Sequence, residues 1–137
     1  MKFPYIKFPS SDPKQKWVSR PYIPLKIIGQ KGIWEGYGLI DSGADKSLLN
    51  TEIAEEIGFD LNESQCENFS GIEGGKLKAR VARIRLQIAG FEEIKIAVGF
   101  VNSAAVGVIL GQEGFFDEYR IKFERDHGIF EITPIRR

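Results

Sequence analysis

Five consecutive residues, Asp41-Ser42-Gly43-Ala44-Asp45, put two carboxylates, a hydroxyl and a glycine into one short loop. The apolar run Gly38-Leu39-Ile40 leads straight into it, and far downstream Val108-Ile109-Leu110-Gly111 ends a second apolar run on glycine. An aspartate at a strand end sits on a rigid loop, where its carboxylate can activate a water. Ser42 offers a hydroxyl that can hydrogen-bond across a pair of carboxylates, and Gly43 lets the backbone come close to them. Ala44 is small and packs beneath the loop. For Asp41-Ser42-Gly43 alone a plain turn is the simpler account, so the chemistry depends on the elements around it.

Other chemistry has little support. One cysteine, Cys66, and one histidine, His127, cannot build a zinc site or a plausible Cys-His nucleophilic pair. No Gly-x-Gly-x-x-Gly turn opens a helix after a strand, and no phosphate loop is present, so nucleotide chemistry is not expected. We therefore expect no cofactor and no metal. Lys76, Lys78, Arg80, Arg83 and Arg85 crowd five basic residues into ten positions. With Lys+Arg and Asp+Glu both at 19, no global field draws nucleic acid, and the solvated face of an amphipathic strand is the preferred account. Trp17 and Trp34 are expected to be packing residues. The sequons at Asn62 and Asn68 mean little without secretion. A single cysteine fits a reducing compartment. The opening Met1–Pro9 breaks up any signal-peptide core with prolines and lysines, and no segment approaches the ~20 apolar residues of a membrane span. A cytoplasmic protein with no membrane partner is the expectation.

The pattern predicts how the loop is held. At 137 residues there is room for one modest core. Residues 1–20, with Pro4, Pro9 and Pro13, read as an N-terminal arm, some of it packed on the domain or on a partner; residues 21–137 read as the domain. Tyr22–Ile28 and Ile33–Ile40 alternate as a hairpin running into Asp41, with Pro24 suited to an edge. A helix follows, capped by Asn50 or Thr51, with Glu52 in its first turn, Ile53, Ala54 and Ile57 on one face and Gly58 as a stop. A polar loop over 60–68 precedes Gly71, Gly74 and Gly75, a tight turn. Strand alternation runs through Leu77, Ala79 and Val81 and resumes out of phase at Ile84, Leu86 and Ile88, which predicts a bulge or bend. Ile94–Phe100 returns, Val106–Leu110 reads as a strand buried on both faces, Gln112–Glu118 as a short helix, and Tyr119–Ile132 as a closing hairpin about Asp126-His127-Gly128. Many short strands without a βαβ rhythm mean a mainly antiparallel barrel or sandwich.

The strand before Asp41, the following Ala44-Asp45, the glycine-rich tip at 71–75 and the late Ile109-Leu110-Gly111-Gln112 occur in the order of the retropepsin-like aspartic proteases, which the chain resembles from about Pro21 to Ile132. The resemblance implies a mainly β fold, a closed antiparallel barrel of the retropepsin type with one or two short helices. It implies an aspartic endopeptidase in which Asp41, with Ser42 and Gly43, is the catalytic signature. Ala44, Asp45, Gly71, Ile72, Gly74 and Gly75 would hold substrate, the last four as a closing flap. Leu39, Ile109, Leu110 and Gly111 would support the catalytic loop. Many viral members carry Arg after that last glycine, paired to the second acid of the signature; here the position is Gln112. No second Asp-Ser/Thr-Gly exists in the chain, so a two-aspartate centre requires a homodimer acting on an extended peptide or unfolded protein. The alternative on the same fold is a non-catalytic peptide-binding or dimerisation module.

Overall fold

The computed structural model describes residues 1–63, 65–70 and 76–136, with backbone alone at 63, 65–70, 76 and 77. Its strands, in chain order, are β1 (Lys2–Pro4), β2 (Ile6–Pro9), β3 (Trp17–Arg20), β4 (Tyr22–Ile28), β5 (Ile33–Ile40), β6 (Leu48–Asn50), β7 (Gln65–Ser70), β8 (Lys76–Ile88), β9 (Ile94–Val101), β10 (Val108–Leu110), β11 (Tyr119–Glu124) and β12 (Ile129–Pro134). Helix α1 (Thr51–Ile57) follows β6. The predicted caps are in place: the Asn50 side chain accepts from Glu52 N, and Gly58 ends the helix in the left-handed region at φ 74°.

Six strands close a barrel in the order β4-β5-β10-β6-β9-β8, with β8 returning to β4. Inward residues of these strands form the core: Ile23, Leu25 and Ile27 from β4, Ile84, Leu86 and Ile88 from β8, Ile96, Val98 and Phe100 from β9. Ile53, Ala54 and Ile57 of α1 join the same core, as their helical spacing predicts. Most ladders are antiparallel, as expected. Two are parallel, β5 with β10 and β6 with β9, and the first brings two strand ends together beside Asp41.

Four local expectations are revised. No bulge interrupts β8, which keeps one register on β9 from Ala79↔Val101 to Leu86↔Ile94. The change of phase reflects a change of neighbour: on its other edge β8 pairs with β7 through Val81 and with β4 from Arg85 onward. The polar stretch expected as loop contains β7 over Gln65–Ser70. Pro24 lies in a strand paired on both sides rather than in an edge strand. It stands one residue beyond the last β4–β8 pair, Leu25↔Ile88, where a missing N–H costs no ladder bond. The helix expected at Gln112–Glu118 is a single irregular turn, Gln112–Phe116, with non-helical backbone at Glu113 and Gly114. It nevertheless buries Phe115 completely.

Both ends of the chain enter one three-stranded sheet, β1-β12-β11. Phe3 stacks on Phe130 with ring centres 5.7 Å apart, and Tyr5 meets Phe130 edge-on at 5.6 Å. Residues 6–20 form a separate hairpin, β2 on β3, whose Phe8 packs edge-on against Tyr22. Gly71, Ile72, Gly74 and Gly75 lie outside the described residues.

Candidate active site

Strand β5 ends at Ile40, and Asp41 is the next residue. Because β5 and β10 run parallel, with Leu39↔Ile109 and Ile40↔Leu110 in register, both strands end on the same side of the barrel. The Asp41 N–H donates to Leu110 O at 2.9 Å, which prolongs the ladder by one bond and fixes the base of the acidic loop. Asp41 Oδ1 accepts the Gly43 N–H at 2.9 Å, and Asp41 O accepts from Ala44 N at 3.2 Å. Asp41 is half-buried while Ser42 and Gly43 are exposed. Among the described residues the carboxylate has no other hydrogen bond.

The loop from 41 to 47 crosses over the end of β10 and is stitched to the residues after it. Gln112 N donates to Ala44 O and Glu113 N to Asp45 O, each at 2.8 Å. Gly111 lies in the crossing. A Cβ there would sit 2.4 Å from Lys46 O and 2.6 Å from Ala44 O, so only glycine lets the loop lie this close. Ser47, 1% exposed, accepts the Gly111 N–H on its hydroxyl at 3.0 Å and donates to Glu113 O at 3.2 Å. Its own carbonyl accepts from Gly99 N on β9. The Gln112 side chain donates through Nε2 to Ser42 O at 2.8 Å, and Lys46 pairs with Glu113 outside the loop.

The residues expected at the site thus fall into three groups. Asp41, Ser42, Gly43, Ala44 and Asp45 form one loop, and Leu39, Ile109, Leu110 and Gly111 are the strand ends beneath it. Leu39 and Ile109 are half-buried neighbours; Ile109 packs against a small cluster of Leu48, Ala79, Val101 and Val106. The glycines of the expected flap are the third group, outside the described residues, although β7 and β8 lead into and out of that turn. Asp45 is exposed, and the Gln112 side chain holds Ser42 rather than Asp45. Sequence reasoning missed Ser47, Lys46 and Glu113. The available signal was slight: a serine directly ahead of the apolar pair Leu48-Leu49, and opposite charges on either side of the two strand ends. Among the described residues no group of three metal-ligating side chains is present, and no helix is long and apolar enough to cross a membrane.

This arrangement can hold a water against a carboxylate on a loop hydrogen-bonded to the strand ends beneath it. Residues 24–113 match the family model described as aspartyl protease. The solved structure titled EIAV protease complexed with the inhibitor HBY-793 shares the fold: 75% of this chain and 88% of that one superpose with a TM-score of 0.52, at 19% sequence identity. No curated protein sequence matches the chain.

Proposed function

The chain belongs to the aspartyl protease family, and from that premise we propose that it hydrolyses peptide bonds as a homodimer, with Asp41 of each subunit facing the other across a two-fold axis. The observation that carries this reading is the stitched loop, which holds a half-buried carboxylate with one oxygen bonded to Gly43 N–H and no further hydrogen bond among the described residues. A closed two-fold interface is self-complementary, so each copy would present the same loop to its partner. Two carboxylates a few ångströms apart resist double ionisation. One keeps its proton while the other stays a base, and the pair titrates as a unit.

The water between them would be deprotonated by the ionised aspartate as it attacks the peptide carbonyl, while the protonated aspartate donates to the carbonyl oxygen. The tetrahedral intermediate collapses with proton transfer to the leaving amine. Ser42 would bridge the dyad through its hydroxyl. Substrate would lie as an extended strand along Ala44 and Asp45, over Leu39 and Ile109, with the 71–75 turn closing above it to exclude water. The single cysteine suits a reducing, cytoplasmic setting.

Asp41→Asn is the test, assayed on unfolded protein from acidic to neutral pH, with sedimentation run alongside. We expect a dimer whose cleavage falls by about 10²–10⁴-fold in the variant, with unchanged thermal unfolding. Equal rates for wild type and variant, or a strictly monomeric protein with and without peptide, would overturn the proposal. A second reading, a peptide-binding module without turnover, is favoured by one observation: β1 pairs with β12 of its own chain, so the terminal strands are already partnered. A dimer that binds peptide and leaves it intact would establish that alternative.

A further inference from the structure

At the end of the barrel away from Asp41, β8 changes neighbour. β7 pairs with it through Gln65↔Val81, and β4 takes over at Ile28↔Arg85. Residues 82–84 lie between the two partners on that edge, and beside this fork a cavity of about 750 Å³ opens. Its apolar lining includes Ile28, Ile57, Phe59 and Val81; its cations are Lys31, Arg83, Arg85 and Lys95. From Ile33 to Asp41 along β5 is roughly 25 Å at the usual rise of a strand, so the cavity is separate from the acidic loop.

Three observations mark it as a built site. First, the wall carrying Lys31 is fixed. Gly29 N donates to Gly32 O within the β4–β5 turn, and Lys31 N donates to Ile57 O at the end of α1. The Lys31 stem lies flat on Gly58, where a Cβ would meet Lys31 Cβ at 2.5 Å. Second, among the described residues the positive charge has few acidic partners. Arg85 and Lys95 stand directly opposite one another on β8 and β9, a like-charge pairing that is unfavourable by itself. Arg85 has Glu93 at 3.6 Å, but among the described residues Lys31, Arg83 and Lys95 have no acidic partner. The one carboxylate on the described lining, Asp60, accepts the Asn62 N–H. In a chain with zero net charge this is a local concentration of cations. Third, the lining sets apolar surface from Ile28, Ile57 and Val81 beside the cations, more than a bare phosphate would use, and its one aromatic ring is already engaged. The Phe59 ring is already stacked on Phe100, centres 5.6 Å apart.

We propose that this fork binds an amphipathic organic anion, its apolar body on Ile28, Ile57 and Val81 and its charged head between Arg83, Lys95 and Lys31. The size is that of ordinary small-ligand sites, and the three cations Lys31, Arg83 and Lys95 would orient the head. The inference does not depend on the peptidase reading.

The experiment titrates the whole protein calorimetrically with octyl phosphate, and in parallel with octanol, octylammonium and inorganic phosphate. Octyl phosphate is expected to bind at least about tenfold more tightly than any of the three. Arg83→Gln with Lys95→Gln is expected to weaken it about tenfold, and Lys14→Gln to leave it unchanged. Backbone amide shifts are expected at residues 28–31 and 57–60 and not at 41–45, which locates binding even if the double variant unfolds. Equal binding of octanol overturns the role of charge, and equal binding of inorganic phosphate overturns the role of the apolar lining. Shifts confined to other residues, undiminished binding by a folded double variant, or displacement of octyl phosphate by a tighter-binding single-stranded oligonucleotide each overturn the proposal.

Discussion

The two ends of this barrel are built on opposite plans. Where β5 and β10 finish side by side, the backbone and the buried hydroxyl are tied together: Asp41 N on Leu110 O, Ser47 between Gly111 and Glu113, Gln112 on Ser42. Where β8 passes from β7 to β4, cations stand together with few acidic partners among the described residues. The parallel β5–β10 ladder explains the first. It delivers two chain ends to one place, where backbone groups must find partners in the loops. The second follows from an antiparallel edge that loses one neighbour before gaining the next. Hydrogen bonds are concentrated around the loop that carries the Asp41 carboxylate, and the cations at the fork where a ligand could supply a partner.

The comparison is broken most severely at Gly111. Gly111→Ala places a Cβ 2.4–2.6 Å from the carbonyl oxygens of Lys46 and Ala44. Neither can yield like the tip of a flexible side chain, because both belong to backbone. We expect a loss of about 3 kcal/mol in urea unfolding, accompanied by loss of any cleavage. A cost below about 0.5 kcal/mol would show that the loop is not clamped to the strand end.

Ser47→Ala comes next. The hydroxyl is buried, and its removal strands the Gly111 N–H away from water, at an expected cost of about 2 kcal/mol. Urea unfolding checks it, and a cost near zero would mean that water takes the place of the hydroxyl.

How far these features could be read from the sequence follows the same division. Asp41 and its loop were legible because apolar alternation must stop where a strand stops, and Ile33–Ile40 stops at Asp41. Helix α1 was legible because Asn50, Glu52 and Gly58 each have a local role that the backbone enforces. Ser47 was not, because its partners, Gly111 and Glu113, are 64 and 66 residues away and nothing local distinguishes a buried serine from an exposed one. The phase change in β8 was legible as a break in pattern, but not as a change of partner: side-chain alternation records which face is covered and carries no label for the strand that pairs at the edge. The strand at Gln65–Ser70 was hidden for a related reason. Its pairing with β8 supplies backbone bonds that polar residues accept as readily as apolar ones.

Gln112→Ala tests whether the stitching serves chemistry or stability. The side chain is exposed and donates one bond to Ser42 O, so its removal is expected to cost about 0.5–1 kcal/mol of stability. If the loop positions a catalytic group, kcat falls about five- to tenfold with KM nearly unchanged, because positioning is felt in the transition state. A rise in KM alone would instead assign Gln112 to substrate binding, and unchanged kinetics would leave it a local brace.

The smallest effect is expected at the opposite end, and its sign is what matters. Lys95 faces Arg85 across β8 and β9, so Lys95→Glu replaces a repulsion with an attraction. It should stabilise the protein by about 0.5 kcal/mol, a gain that shrinks as salt is raised because the pair is open to solvent. The same change at a site with satisfied charges would do nothing or do harm. Destabilisation by Lys95→Glu, or a gain indifferent to salt, would mean that the cations of the fork are already balanced. The contrast between the two ends would then lie in backbone pairing alone.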